Sequence, residues 1–152
     1  MPDPDPDEIR HATTVAVAGR GLMIEGASGD GKSSLALVLM AHGAQLVADD
    51  RTALRLGGRP ERVWADAPPG LPPLIEARGI GLMPARLSGP VPLAAVVRLD
   101  LPEPARLPPR RSTDVLGQKV ALFHAPGNAH FPHALLQYLR QGGGSWEDDA
   151  EP

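Results

Sequence analysis

Gly26-Ala27-Ser28-Gly29-Asp30-Gly31-Lys32-Ser33 reads G-x-x-x-x-G-K-S, and each fixed position in that string has a physical task. Glycines let successive backbone N–H groups turn inward around phosphate oxygens. The lysine reaches the outer phosphates as a mobile point charge. The serine hydroxyl offers an oxygen to the magnesium ion that bridges them. All eight residues are therefore candidates for holding nucleotide phosphates, with Ser33 also a candidate metal ligand. The flanks agree with that reading. Gly21-Leu22-Met23-Ile24-Glu25 is a short apolar run that predicts a strand entering the loop. Ser33 to His42 predicts a helix leaving it, with Leu35, Val38, Leu39 and His42 at i, i+3, i+4, i+7 spacing. Gly43 suits the residue just past the helix end. Strand, glycine-rich loop and helix N-terminus in that order place the helix dipole behind the phosphates and make the fold class α/β.

The rest of the chain must fit around this unit. At 152 residues the length suits one domain with a modest core. A net charge of −3 and a pI near 5.9 argue against a general nucleic-acid binder. No apolar run is long enough to span a membrane, and the N-terminus is acidic rather than that of a signal peptide. There are no cysteines, hence no disulfide or Cys-ligated zinc. The expectation is a cytoplasmic protein without nucleic-acid or membrane partners. Residues 1–9, with repeated Pro-Asp, read as a disordered tail, and 142–152 as another. Residues 10–141 are then the single domain. Prolines crowd the span from Pro68 to Pro109, which predicts irregular connections between short strands there.

Within the domain, Ala12 to Ala18 reads as a strand, Gly19-Arg20-Gly21 as a turn, and Leu22 to Glu25 as the returning strand. A hairpin centred on Arg20 delivers His11 opposite the phosphate loop, although a histidine at a strand start is as readily a plain exposed one. Gln45 to Ala48 reads as a strand ending in Asp49-Asp50. Carboxylates there suit magnesium coordination or proton transfer. Their mutual repulsion favours one of them as a base, and the alternative is an Asp-rich turn. Thr52 to Leu56 and Arg62 to Ala65 flank Gly57-Gly58-Arg59-Pro60 as a second hairpin. In Leu74 to Gly81, Glu76 and Arg78 need partners: a metal ion and a phosphate, or each other. Leu93 to Leu99 and Gln118 to Phe123 read as further strands. Phe131 to Arg140 reads as a helix with Phe131, Leu135, Tyr138 and Leu139 on one face. His124, His130 and His133 lie near its start without acidic partners, the usual pattern of structural or exposed histidines.

Four blocks in order resemble the catalytic domain of bacterial HPr serine kinase/phosphorylase: His11, Gly26 to Ser33, Leu46-Val47-Ala48-Asp49-Asp50-Arg51, and Ile75-Glu76-Ala77-Arg78-Gly79-Ile80-Gly81. The resemblance implies a compact phosphate-loop kinase domain of the phosphoenolpyruvate-carboxykinase-like type, a mixed sheet with flanking helices. It implies ATP and Mg2+ as cofactors, and as substrate a serine of HPr, the small carrier of the sugar phosphotransferase system. Many members also remove that phosphate by attack of inorganic phosphate. Carried over by residue, Lys32 stabilises charge on the transferring phosphoryl group. Ser33 and Glu76 bind magnesium. Asp50 accepts the serine proton with Asp49 supporting it, and His11 sits near the phosphates. Many members carry Pro-Gly-Arg-Asn near the C-terminus. Here the nearest string is Ala125-Pro126-Gly127-Asn128, so that arginine's role passes to no residue. The C-terminal region resembles shortened members, and self-association into a homo-oligomer is left open. A small-molecule kinase and a non-catalytic nucleotide sensor are the other readings.

Overall fold

A computed structural model describes residues 5–141. The chain order is β1 (Glu8–Arg10), β2 (Ala12–Val17), β3 (Arg20–Glu25), α1 (Lys32–Ala41), β4 (Gln45–Ala48), β5 (Thr52–Gly57), β6 (Arg62–Asp66), β7 (Leu74–Ala77), β8 (Gly81–Pro84), β9 (Val91–Pro102), β10 (Ser112–Val115), β11 (Gln118–Ala125) and α2 (Phe131–Arg140). Nine strands form one mixed, curled sheet in the order β1-β5-β6-β9-β3-β2-β4, with β11 paired to β9 and β10 to β11. β7 and β8 form a separate hairpin. The α/β expectation holds.

β3, β9 and β11 run parallel. β4 shares their direction because β2 is antiparallel to both β3 and β4. The carboxyl ends of β3, β4, β9 and β11 therefore lie along one rim, the edge at which open α/β sheets bind ligands. Alternation along the strands fills both faces. Val15, Val17, Leu22, Ile24, Ala95 and Val97 pack under α1 and α2. Ala12, Ala16, Met23, Val47 and Val96 pack on the other side against Leu54, Val63 and Ala65 of β5 and β6.

Two local devices set the loop and its helix in place. The β2–β3 register pairs Ala12 with Glu25 and Val17 with Arg20. The turn is thus Ala18-Gly19, with φ of 54° and 75°, the two-residue geometry that matches the twist of the strands. The expected centre at Arg20 is corrected: Arg20 begins β3, and its guanidinium donates to the carbonyls of Tyr138 and Leu139. Extended by one step, the register sets His11 opposite Gly26. At the far end of α1, Gly43 has φ 104°. Its N–H donates to the Met40 carbonyl while that of Ala44 donates to Leu39, which closes a Schellman motif.

Other expectations need correction. Glu8 and Ile9, expected in the tail, form with Arg10 an edge strand paired antiparallel with Thr52 to Leu54 of β5, and Asp7 accepts the Leu56 N–H through its carboxylate. On α1 the buried stripe is Leu35, Ala36 and Leu39, which pack into the core with β2 and β3, while Val38 is exposed. In α2 Leu136 joins Leu135 and Leu139 in the core. The expected tail at 142–152 lies outside the described residues. No helix among the described residues is long and apolar enough to cross a membrane.

Candidate active site

α1 begins without a side-chain cap and without an acid in its first turn; its N-cap is Gly31, at φ 96°. Its first amides and the dipole behind them are thus free for an anion. Inside the loop, Asp30 closes a tight turn: its N–H donates to the Ala27 carbonyl at 3.0 Å, and its carboxylate accepts the Ala27 N–H at 2.7 Å.

Lys32 is 7% exposed, and a buried ammonium must be paired. Its Nζ contacts the Gly26 carbonyl at 3.0 Å, the Ala27 carbonyl at 3.3 Å and His11 Nε2 at 3.3 Å. Three donors meet three acceptors. A lysine ammonium has no acceptor, so His11 Nε2 accepts and the imidazole proton sits on Nδ1. That nitrogen lies 3.1 Å from Asp50 Oδ1 and donates to it. His11 thereby bridges the loop lysine and the Asp50 carboxylate. Asp50 takes φ 68°, the left-handed region that Asp tolerates better than most residues. The turn sends its side chain out over the loop. Its backbone is pinned by an N–H to Thr13 Oγ1 and by a carbonyl that accepts from the Ala12 N–H.

Asp49 faces the other way. Its Oδ1 accepts from Ser33 Oγ at 2.7 Å and from Thr13 Oγ1 at 2.9 Å, and its Oδ2 accepts the Glu76 N–H at 3.1 Å. One carboxylate thus ties α1, β2 and β7 to the end of β4. The sequence reading gave Asp49 magnesium coordination, proton transfer or support of Asp50, but no structural junction, and it missed Thr13, which is fully buried. The available signal was a pair of threonines, Thr13 and Thr14, inside an otherwise apolar strand. Thr14 belongs to the other face and bonds Thr52 Oγ1 at 2.8 Å. Because the Thr52 hydroxyl donates to the Ala12 carbonyl, the Thr14 hydroxyl is the donor of that pair.

Ser28, Gly29, Gly31, Lys32, Ser33, Asp50, Glu76 and Arg78 line one cavity of about 240 Å³. Glu76 and Arg78 both face it, and no ion pair joins them among the described residues. Behind the loop, Arg10 lies 3.4 Å from Glu25 and 2.8 Å from Glu8. Burial opposes its charge, but the hydrogen bond to Glu8 and the two carboxylate charges hold its pKa above the ordinary value. Ser33 Oγ, the Asp49 carboxylate and Glu76 supply hard oxygens, the donor set that magnesium takes; these residues fit such an ion. His124, His130 and His133 stand apart from them: His133 packs edge-on against His42, and no cluster of three metal-binding side chains occurs among the described residues.

The family profile described as HPr Serine kinase C-terminal domain matches residues 5–88, a span that holds every one of the clustered side chains. The chain belongs to this family. Similar proteins include the HPr kinase/phosphorylase of Nitrosomonas europaea, 44% identical over 81 residues, or 53% of this chain and 25% of the relative. That of Lactobacillus delbrueckii subsp. bulgaricus is 44% identical over 73 residues, 48% of this chain and 23% of the relative. The chain thus matches about a quarter of the length of these curated relatives. Among solved structures, the Hpr(Ser) kinase/phosphatase from Coxiella burnetii superposes with a TM-score of 0.74 at 20% identity, covering 94% of this chain and 93% of that one. At that identity the likeness concerns the fold, and it extends beyond residue 88 into the part that the family profile leaves unmatched.

Proposed function

We propose that this chain is an ATP- and magnesium-dependent protein-serine kinase domain acting on HPr in the cytoplasm. The observation that carries the reading is the chain of contacts from Lys32 through His11 to Asp50, at the mouth of a loop built for phosphate. In this reading the loop amides and Lys32 hold the phosphates, and Asp50 takes the proton as the serine Oγ–P bond forms and the bond to the leaving ADP breaks. His11 donates to Asp50 and so aims the carboxylate. Ser33 and Glu76, with Asp49 beside them, are the residues to hold magnesium, whose contribution when bound is to neutralise phosphate charge. Removal of the phosphate from serine by inorganic phosphate would use the same side chains.

A protein acceptor is favoured over a small molecule by the β7–β8 hairpin. Next to Glu76 and Arg78 at the cavity mouth, Ile80 is 78% and Leu82 68% exposed, an apolar surface for a macromolecule and of no use to a metabolite. The test is mass spectrometry of HPr after incubation with this chain, ATP and magnesium. The expected result is one added phosphoryl group mapped to a serine, absent with Lys32→Ala. No mass gain with the unaltered chain sinks the reading. The double variant Ile80→Ser/Leu82→Ser is expected to raise KM for HPr about tenfold, with ATP affinity measured by calorimetry unmoved.

A further inference from the structure

The cavity at the phosphate loop suits phosphates and offers a nucleotide base no apolar surface. Its volume is about 240 Å³, and its lining consists of glycines, serines and charged side chains, with neither an aromatic ring nor an aliphatic residue. Small-molecule sites run to roughly 300–1,000 Å³ and present apolar surface. A base needs such a surface, and it must lie on the side of the loop away from the transferring phosphate. Asp50 and His11 mark the transferring end, and they sit on the β2 side of β3. The opposite neighbours of β3 are β9 and then β11. Glu25 pairs with Arg98, and Arg98 pairs with His124. The loop's root and the end of β11 are therefore two strand spacings apart, about 10 Å, on the same rim.

A second cavity of about 630 Å³ opens there, between the 103–111 connection, the end of β11 and the first turn of α2. Its lining includes Arg106, Leu122, Phe123, Asn128, Phe131 and Ala134. Two aromatic residues and a leucine supply apolar surface, and an amide and a guanidinium supply polar contacts. The wall is fixed at both ends. The Glu103 N–H donates to the Ala125 carbonyl, and the Leu122 N–H donates to the Arg111 carbonyl. Arg111 donates two hydrogen bonds to the Glu103 carboxylate, at 3.1 and 3.2 Å. This hydrogen bonding is the largest cause holding Glu103 below the ordinary carboxylate range.

We propose that this second cavity binds the base and ribose of the nucleoside triphosphate whose phosphates lie in the loop at residues 26–33. The inference rests on the phosphate-loop reading and adds a site made wholly from the part of the chain outside the family match. It assigns to Phe131, Asn128 and Arg106 the discrimination between a nucleotide and bare polyphosphate.

The test is calorimetric titration of the full chain with Mg-ATP and with Mg-tripolyphosphate. ATP is expected to bind at least ~10-fold more tightly than tripolyphosphate, the effect of roughly 1.4 kcal/mol from the base and sugar. Ala134 and Arg106 are exposed, so Ala134→Trp, which fills the cavity, and Arg106→Ala both leave the fold intact. Each is expected to lower the ratio of the two affinities, Ala134→Trp to below about threefold. Equal affinity for the two ligands in the unaltered chain, or a ratio that neither substitution lowers, overturns the proposal while leaving the loop reading in place. Failure of both ligands to bind, or binding of both that survives Lys32→Ala, overturns the loop reading and this proposal with it.

Discussion

Asp50 lines the cavity at the phosphate loop, whereas the Asp30 carboxylate closes the loop's own turn. Asp50 holds φ 68°, which an asparagine also tolerates. Asp50→Asn therefore removes the charge without adding backbone strain, whereas an alanine there would confound the two. The expected outcome is a fall in phosphoryl transfer of ~100-fold or more, with ATP affinity nearly unchanged, read from single-turnover kinetics and calorimetry side by side. Loss of transfer accompanied by an equal loss of ATP binding would move Asp50 from proton acceptance to ligand binding. Asp30 is an exposed carboxylate of the phosphate loop, held by the Ala27 N–H at 2.7 Å. An asparagine side chain can accept the same hydrogen bond, so Asp30→Asn keeps the turn and deletes a negative charge from the loop. At roughly 0.5–1 kcal/mol for such a surface pair, tripolyphosphate should bind about two- to fivefold more tightly, and the gain should shrink as salt rises. His11 shows how far residue-level reading reaches. A hairpin delivers it to the loop whether the turn is centred at Arg20 or, as found, between Ala18 and Gly19. Its bridge between Lys32 and Asp50 needed coordinates, because the proton's position follows from the lysine's lack of an acceptor.

Among the elements, the junction of β2, α1, β4 and β7 hangs on the Asp49 carboxylate and its three donors. Removing it leaves the Thr13 hydroxyl fully buried without its acceptor. Asp49→Ala is therefore expected to cost about 2–4 kcal/mol, a buried unsatisfied donor plus lost charge-assisted hydrogen bonds. Urea denaturation measures it, and a cycle with Thr13→Val should recover part of the loss; strict additivity would deny the coupling. Apart from the threonine pair in β2, no sequence signal announced this junction, since it depends on β4 returning beside β2 with an irregular register after Thr14. What the sequence made legible were a short apolar run and a strong helical period: β4 and α2 begin and end at the predicted residues. What it hid were edges. β1 is Glu-Ile-Arg and β10 is Ser-Thr-Asp-Val. Sheet edges favour short, charged strands, and such strands carry the same composition as a solvated tail.

For the molecule as a whole, the family match and the folding unit do not coincide. The match ends at residue 88, yet the strand carrying the phosphate loop depends on residues 91–140. β9 is the longest strand, at 12 residues. It is the partner of β3 on the side away from β2 and also pairs with β6 and β11. Ala95, Val96 and Val97 at its centre are wholly buried and enter the packing on both faces. With residues 89–141 removed, β3 becomes an open edge, the β1-β5-β6 run loses its join to the rest of the sheet, and the layer under α1 loses Leu135, Leu136 and Leu139 of α2. Each of those leucines is worth about 1.5–3 kcal/mol when buried, so their sum is of the order of a domain's whole stability. A chain truncated after Ser88 is accordingly expected to show no cooperative thermal transition by circular dichroism and no tripolyphosphate binding. The complete chain should show both. A cooperative transition in the truncated chain would mean that the matched segment folds alone and that the C-terminal half only adds to the rim, and β9 would then be no part of what holds the loop in shape.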